Sequence, residues 1–581
     1  MSSERIVPTS QPADLPTFSI LIDGNKIDAT YKVASVSVIK SINRISAATV
    51  IFYDGNPSEE NFTVSSTDDF IPGKEIEIKA GYHSDEATIF KGIVIKHSIR
   101  IKKSLTSMLI VECKDKAVKM TVGRKSKYFL DSKDSDIAEE IIGEYEVDKD
   151  VEATTVTHKE MVQFDCTDWD FILSRADVNS QIVVCDDGKL TMKKPADTDS
   201  VLSLLYGATI LDLEAEIDSR NEYTGVKSFS WDYSSQEVLE EEADEPAVVM
   251  TSNLSSSDLA EVTSPEIFEL RHGGKAEDAE IKAWADSKMQ KSRLSKVRGR
   301  VKCQGFPEVK PGLFIDLAGL GDRFNGKAFV SGIHHQINKD NWETDIQFGA
   351  DEKFFTEVHE INSKPASGIL PCINGLHVGV VTKLEGDPDG EDRIQVKLPI
   401  ISSEDEGIWS RVATLDAGEK RGSFFRPEID DEVIVGFVND DPRDAVVLGM
   451  LNSSVKPAPI SATDDNNEKG FVTRSEMKFI FDDDKKSITI ETPGGHKVLI
   501  SDDETSISIE DSNSNKFVMS SEGISMESNS AIKIKASSDV EIEGANIKLK
   551  ANAEFKAEGS AGSKLESSAV TEVKGSMVKI N

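Results

Sequence analysis

The chain has 581 residues, a formal net charge of −36 and an isoelectric point near 4.7, with 38% hydrophobic and 29% charged residues. That length suggests three to five domains, and the composition is that of a folded, mainly globular protein. So acidic a chain repels phosphate backbones and anionic lipid headgroups, which argues against a nucleic-acid role and against electrostatic docking on membranes. Five scattered cysteines (Cys113, Cys166, Cys185, Cys303 and Cys372) lack any C-x-x-C spacing and describe neither a disulfide framework nor a zinc site. The first residues hold no apolar signal core, and no run of eighteen apolar residues occurs. The expectation is therefore a protein made in the cytoplasm and exported only if another machine carries it.

Residues 1–16 are Ser/Pro-rich and read as an N-terminal arm. Residues 17–365 read as a mainly β region of barrel-like character with helical insertions. Short alternating runs at Phe18–Ile22, Val33–Ile39, Ala48–Tyr53, Lys74–Lys79, Phe90–Ile95 and Met108–Cys113 are strands separated by Gly, Pro and Asp turns. Asp134–Glu144 carries Ile137, Ile141 and Ile142 on one side and predicts an amphipathic helix. A second helix follows Thr167 or Asp168 as N-cap and turns Phe171, Ile172 and Ala176 inward. A third runs from about Ala276 to Leu294. The stretch 234–266, with Glu240-Glu-Glu and Ser255-Ser-Ser, reads as an acidic surface loop.

Residues 366–455 hold five candidate strands: Leu376–Leu384, Arg393–Leu398, Trp409–Ala413, Glu432–Val438 and Ala445–Leu451. Five strands in so short a span fit an OB-type barrel. Residues 456–470 form a linker. From 471 to 581 the text changes again. Ser487-Ile-Thr-Ile-Glu-Thr, Ile-Lys-Ile-Lys (532–535), Val-Glu-Ile-Glu (540–543) and Ile-Lys-Leu-Lys (547–550) alternate apolar and charged residues strictly. The apolar pairs Ile524/Met526, Ile532/Ile534, Val540/Ile542, Ile547/Leu549 and Phe555/Ala557 recur at seven or eight residues, with turn formers between them. Each repeat is too short to hold a core. Either one chain coils as a solenoid, or several chains wind together; the short period, with one buried pair per repeat, suits one wall of a three-chain prism better. Ile524, Ile532, Ile534, Val540, Ile542, Ile547, Leu549 and Phe555 would then form the trimer core. Met577, Val578 and Ile580 are candidates for docking a tip protein, or equally the last core layer.

Other candidates for chemistry have plainer readings. Asp387-Pro-Asp-Gly-Glu-Asp392 has a calcium-loop flavour, but Leu398 stands where an EF-hand needs a bidentate Glu. His334 and His335 point to opposite faces of a strand and cannot easily share one metal. Gly319-Leu-Gly321 lacks the third glycine of a dinucleotide loop, and His272-Gly-Gly reads as a loop. No nucleophile elbow, His-Glu-x-x-His or P-loop occurs. The expectation is a non-enzyme with no cofactor and no metal site.

Asp168-Trp-Asp-Phe-Ile-Leu-Ser-Arg175, Pro311-Gly312, Arg323-Phe-Asn-Gly326 and Val330-Ser-Gly-Ile-His-His335 occur in that order. They are followed by Trp409-Ser-Arg-Val-Ala413, Arg426-Pro-Glu-Ile-Asp-Asp-Glu-Val-Ile-Val-Gly-Phe437, Asp440-Asp-Pro442 and the β-repeat. In this order the chain resembles the VgrG family, the spikes of type VI secretion, and the related spikes of phage-tail-like particles and contractile phage tails. The resemblance implies a mainly β homotrimer: a hub of two β-barrel-like subdomains over residues 17–365, on the Hcp-like tube and the baseplate, an OB collar and an intertwined trimeric β-helix needle. It also implies a PAAR-type tip protein at the C-terminal end, effector cargo, and delivery into a target cell by piercing its membrane. The rival reading is a β-rich surface adhesin on a solenoid stalk, which would need an export route.

Overall fold

The computed structural model describes residues 15–103, 106–248, 250–263 and 267–580, so nearly all of the expected N-terminal arm lies outside the described residues. Two compact units emerge. One ends at Asn374 and takes in Asn439–Pro442; the other comprises Gly375–Val438 and the chain from Arg443 onward.

In the first unit the alternating runs become the strands Pro16–Ile22, Lys32–Ser41, Ala47–Tyr53, Glu75–Tyr82, Asp85–Ile101 and Ser107–Lys114. The two barrel-like halves share one thirteen-stranded sheet. The link is the strand Gly326–Ile337, which pairs antiparallel with Lys32–Ser41 from Gly332↔Ser41 to Ile337↔Val36. Two apolar cores sit on this sheet. One packs Phe52, Phe70, Phe90 and Trp342; the other packs Phe314, Phe329 and Phe348.

The helices fall at Asp134–Gly143, Asp168–Val178 and Asp278–Ser295. Thr167 is the N-cap of the second, its hydroxyl accepting the Asp170 N–H at 3.0 Å. Asp134 ties the helices together. Its buried carboxylate accepts from Arg175 at 2.6 and 3.0 Å and from Asn179 at 2.8 Å, and lies 3.1 Å from the His158 ring. Arg175 also reaches Glu280 on the third helix at 2.9 Å.

The stretch 234–266 corrects the loop expected there. Glu237–Glu242 is a strand paired antiparallel with Gly225–Asp232, and Ser256–Thr263 is a helix. The glutamates project from an edge strand, where charge is tolerated, and Glu240 pairs with Lys227 at 2.6 Å. Val248 and Met250 are buried in the second core, and Met250 Sδ accepts the Phe329 N–H.

In the second unit the five expected strands appear at His377–Lys383, Ile394–Lys397, Ile408–Val412, Glu432–Phe437 and Ala445–Met450. They close a barrel in which the third and fifth strands are parallel. Val381, Ile394, Val396, Val433, Val435, Ala445 and Val447 fill it. Seven short strands follow as an antiparallel meander from Glu468 to Glu527.

Two expectations test the hub. Replacing Asp134 with Ala leaves Arg175 buried without its bidentate partner and should lower hub stability by about 3–5 kcal/mol in denaturant unfolding. Glu222 sits wholly buried beside Arg293 (3.1 Å), and burial pushes its carboxyl up to about 7. The folded state thus binds a proton that the unfolded state releases near pH 4.5. The stability this confers is full below the unfolded value and is lost as pH rises through 7. Unfolding midpoints should fall between about pH 5 and 8, worth about 3 kcal/mol, and Glu222→Gln should flatten that slope.

Candidate assembly interface

The seven-stranded meander presents two faces of different chemistry. Each strand is five residues long, so two side chains point to one face and three to the other. The cross-strand register aligns the pairs into columns. One column runs Phe471, Phe479, Ile490, Val498, Ile509, Phe517, Met526. The other runs Lys469, Phe481, Ile488, Ile500, Ile507, Met519, Ile524. All but Lys469 are apolar. The opposite face carries Thr489, Ser508, Ser525 and the charged strand ends, interleaved with Ile480, Leu499 and Val518.

This apolar face stays open to solvent, with Ile490, Ile500 and Ile509 respectively 48%, 42% and 49% exposed. At its base it meets the barrel unit through an aromatic stack. Phe425 lies parallel to Phe471 at 5.0 Å, Phe471 faces Phe479 at 6.5 Å, and Phe479 meets Phe481 at 4.9 Å. Arg474 pairs with Glu428 at 2.8 Å beside it.

Of the apolar pairs singled out in the sequence, Ile524/Met526 lies on the last strand of the meander, paired with Met519 and Phe517. Ile532, Ile534, Val540, Ile542, Ile547, Leu549 and Phe555 lie in a stretch, 528–580, that forms no strand within its own chain. All seven are exposed, as are Met577, Val578 and Ile580. The run Ser487-Ile-Thr-Ile-Glu-Thr, singled out for its alternation, supplies Ile488 and Ile490 to the two columns; the other stripe residues from Phe471 to Met519 were not named, although Lys-Val-Leu-Ile and Ser-Ile-Ser-Ile-Glu carry the same alternation.

The remaining candidates are placed as follows. His335 is buried, 2.8 Å from the Thr344 hydroxyl, and burial pushes its pKa down to about 3. His334 faces the other way, toward the Ser37 hydroxyl at 2.8 Å. Asp387 closes a turn: it accepts the backbone N–H groups of Asp389, Glu391 and Arg393. The Arg393 guanidinium, with these N–H groups, holds its carboxyl well below the usual range. Those oxygens are thereby taken up within the loop. His272 ends the exposed strand Ile267–His272, and Gly319 and Gly321 sit in a turn with positive φ. Cys113 and Cys303 are buried thiols pushed up to about 12 by desolvation, which makes them unreactive. Among the described residues no three His, Cys, Asp or Glu side chains gather as metal ligands.

A hub cleft of about 1180 Å³ is lined by Lys291, Arg298 and Arg300 facing Asp177, Glu214, Glu216 and Asp345. These groups neutralise one another, as in Lys291–Asp177 at 2.8 Å and Arg300–Glu214 at 3.1 Å.

Residues 12–339 match the family described as the Alg8 N-terminal domain. Residues 377–451, the closed barrel, match the type VI secretion system/phage-baseplate injector OB domain. The chain is 26% identical over 166 residues to the type VI secretion system spike protein VgrG1a of Pseudomonas aeruginosa, covering 26% of each. It is 31% identical over 101 residues to VgrG3 of Vibrio cholerae, covering 16% of this chain and 10% of that protein. The matched region thus spans about a quarter or less of these relatives. Solved structures with similarity include a component of the Escherichia coli type VI secretion system, at a TM-score of 0.37 and 11% identity, covering 74% of this chain and 99% of that one. Another is VgrG in a lidless PdpA–VgrG complex, at a TM-score of 0.38 and 10% identity, covering 89% and 98%. With more than half of its length inside the first match, the chain belongs to the Alg8 N-terminal domain family, and over shorter spans it is similar to VgrG spike proteins and to a phage-baseplate domain.

Proposed function

We propose that this chain is the structural spike at the centre of a contractile injection baseplate and that it works as a homotrimer without enzymatic activity. The observation that carries the reading is the apolar stripe of the meander. At about 4.8 Å per strand it is roughly 30 Å long but only two side chains wide. Such a stripe is too narrow to seat a second sheet. Three copies, each turning its stripe inward, close a prism with one dry axis. The C-terminal repeats continue the stripe, and their backbone groups need neighbours from other copies. Strands wound in this way leave no open edge along the shaft, which yields a stiff rod.

In this assembly residues 17–365 form the hub that meets the tube and the baseplate proteins. The barrel is a collar, and residues 471–581 are the needle. Met577, Val578 and Ile580 meet a PAAR-type tip protein. Sheath contraction drives the rod through a membrane and carries effectors with it. The relatives are themselves named as type VI spike proteins, which supports this reading.

Light scattering on the full chain should give the mass of three copies. Ile500→Asp and Ile532→Asp each place three unpaired charges on the dry axis, at a cost of at least about 3 kcal/mol per copy. They should yield monomer or aggregate, whereas Thr489→Asp, on the opposite face, should leave the mass unchanged. A monomeric full-length chain would overturn the trimer and return the single-chain solenoid and the adhesin.

A further inference from the structure

The charges of the needle obey a rule that burial of the stripe does not require. Where the strands of the meander end on one side, the cross-strand neighbours are Lys478↔Glu491, Glu491↔Lys497, Lys497↔Glu510, Glu510↔Lys516 and Lys516↔Glu527. The sign changes at every step, and Lys516 Nζ lies 3.6 Å from Glu510. The alternation continues after the last strand. The repeats carry Lys533 and Lys535, then Glu541 and Glu543, then Lys548 and Lys550. In the meander the opposite charges belong to consecutive strands of one chain. Beyond Glu527 the chain forms no strand with itself, yet the same order of signs persists.

The apolar residues cannot set the alignment of copies by themselves. A slip of one residue would turn the stripe outward and is excluded. A slip of one whole repeat is not, because Ile532/Ile534, Val540/Ile542 and Ile547/Leu549 are nearly interchangeable. Charge distinguishes them. When consecutive repeats of different copies lie side by side, every lysine pair faces a glutamate pair. After a slip of one repeat, lysines face lysines and glutamates face glutamates, which is unfavourable at each contact.

We propose that the alternating lysine and glutamate pairs of the needle are a register code, read by a second copy of the chain, that forbids one-repeat slips during assembly. The proposal rests on the trimer reading and adds to it the rule by which copies align. From Phe555 onward each repeat carries mixed or single charges, as in Lys556–Glu558 at 3.0 Å, so the code that a second copy reads is written between Lys533 and Lys550.

The test uses the full chain with Cys372→Ser, which removes the half-buried thiol, and Ser560→Cys as the site of a nitroxide label. Mass is measured by light scattering and distances between copies by pulsed electron resonance. The parent should be a trimer with one narrow distance. Glu541→Lys with Glu543→Lys should broaden it or add a second distance displaced by about one repeat, or should disrupt assembly. Adding Lys533→Glu, Lys535→Glu, Lys548→Glu and Lys550→Glu should restore the trimer and the narrow distance. A trimer whose distance stays narrow in the reversed variant overturns the register code and leaves the trimer standing. So does a reversed variant that the compensating changes fail to rescue. A monomeric parent overturns both.

Discussion

A five-residue strand with polar ends offers only its second and fourth side chains to its apolar face, and that limit governs the C-terminal fifth of this protein. The barrel meets its apolar demand internally, because its five strands close on themselves and bury Val381, Val396, Val433, Val435 and Val447 from all sides. The hub does so with a thirteen-stranded sheet and two cores. The meander has the same kind of residues but an open geometry. Its stripe is continuous along seven strands and dry only if something outside the chain lies on it. The chain therefore joins parts that bury their apolar faces within a single copy to a part whose stripe the proposed trimer would cover.

Turn chemistry marks where self-sufficiency ends. Strands beginning at Lys478, Ser487, Lys497, Ser506 and Lys516 advance by nine or ten residues, which leaves four or five for a reversing turn. Each reversal uses a residue in the left-handed region: Lys486, Gly495, Thr505, Ser514 and finally Gly523. After Gly523 none of the described residues has positive φ, and the apolar pairs shorten their spacing to seven or eight. The chain stops folding back on itself: residues 528–580 form no strand within their own chain, and in the proposed trimer their partners are other copies. The same alternation of side chains thus serves two architectures, and the spacing between strands selects which one forms.

Much of this was legible in the sequence. The five barrel strands fell within one or two residues of their observed ends because each is a short apolar run between Gly, Asp and Pro turns. Thr167 was legible as one of two cap candidates, with Asp168, because a hydroxyl stands just before a helical apolar pattern. The shared hub sheet was not legible, since pairing Gly332 with Ser41 is a contact between distant segments that no local pattern encodes. The strand Glu237–Glu242 was hidden by its composition: glutamates are poor strand formers on average, but an edge strand with its charges in water accepts them. In the stripe from Phe471 to Met519 the run at Ser487–Glu491 was legible as alternation, and the rest was passed over because its longer spacing did not match the shorter repeat that follows.

The joint between barrel and meander shows how the two regimes are coupled. The first strand of the meander is where the stripe is incomplete, because Lys469 occupies one column. There the barrel unit lends Phe425, which lies flat on Phe471 and extends the apolar surface past the end of the sheet. Arg474 and Glu428 bridge the same joint with a charged contact. A stack and an ion pair side by side resist bending in two directions, which a flexible linker of Ser, Pro and Asp would not do. A rod that carries axial force fails first where it joins its base, so in the proposed spike this aromatic collar lets thrust pass from the barrel into the needle rather than fold the joint.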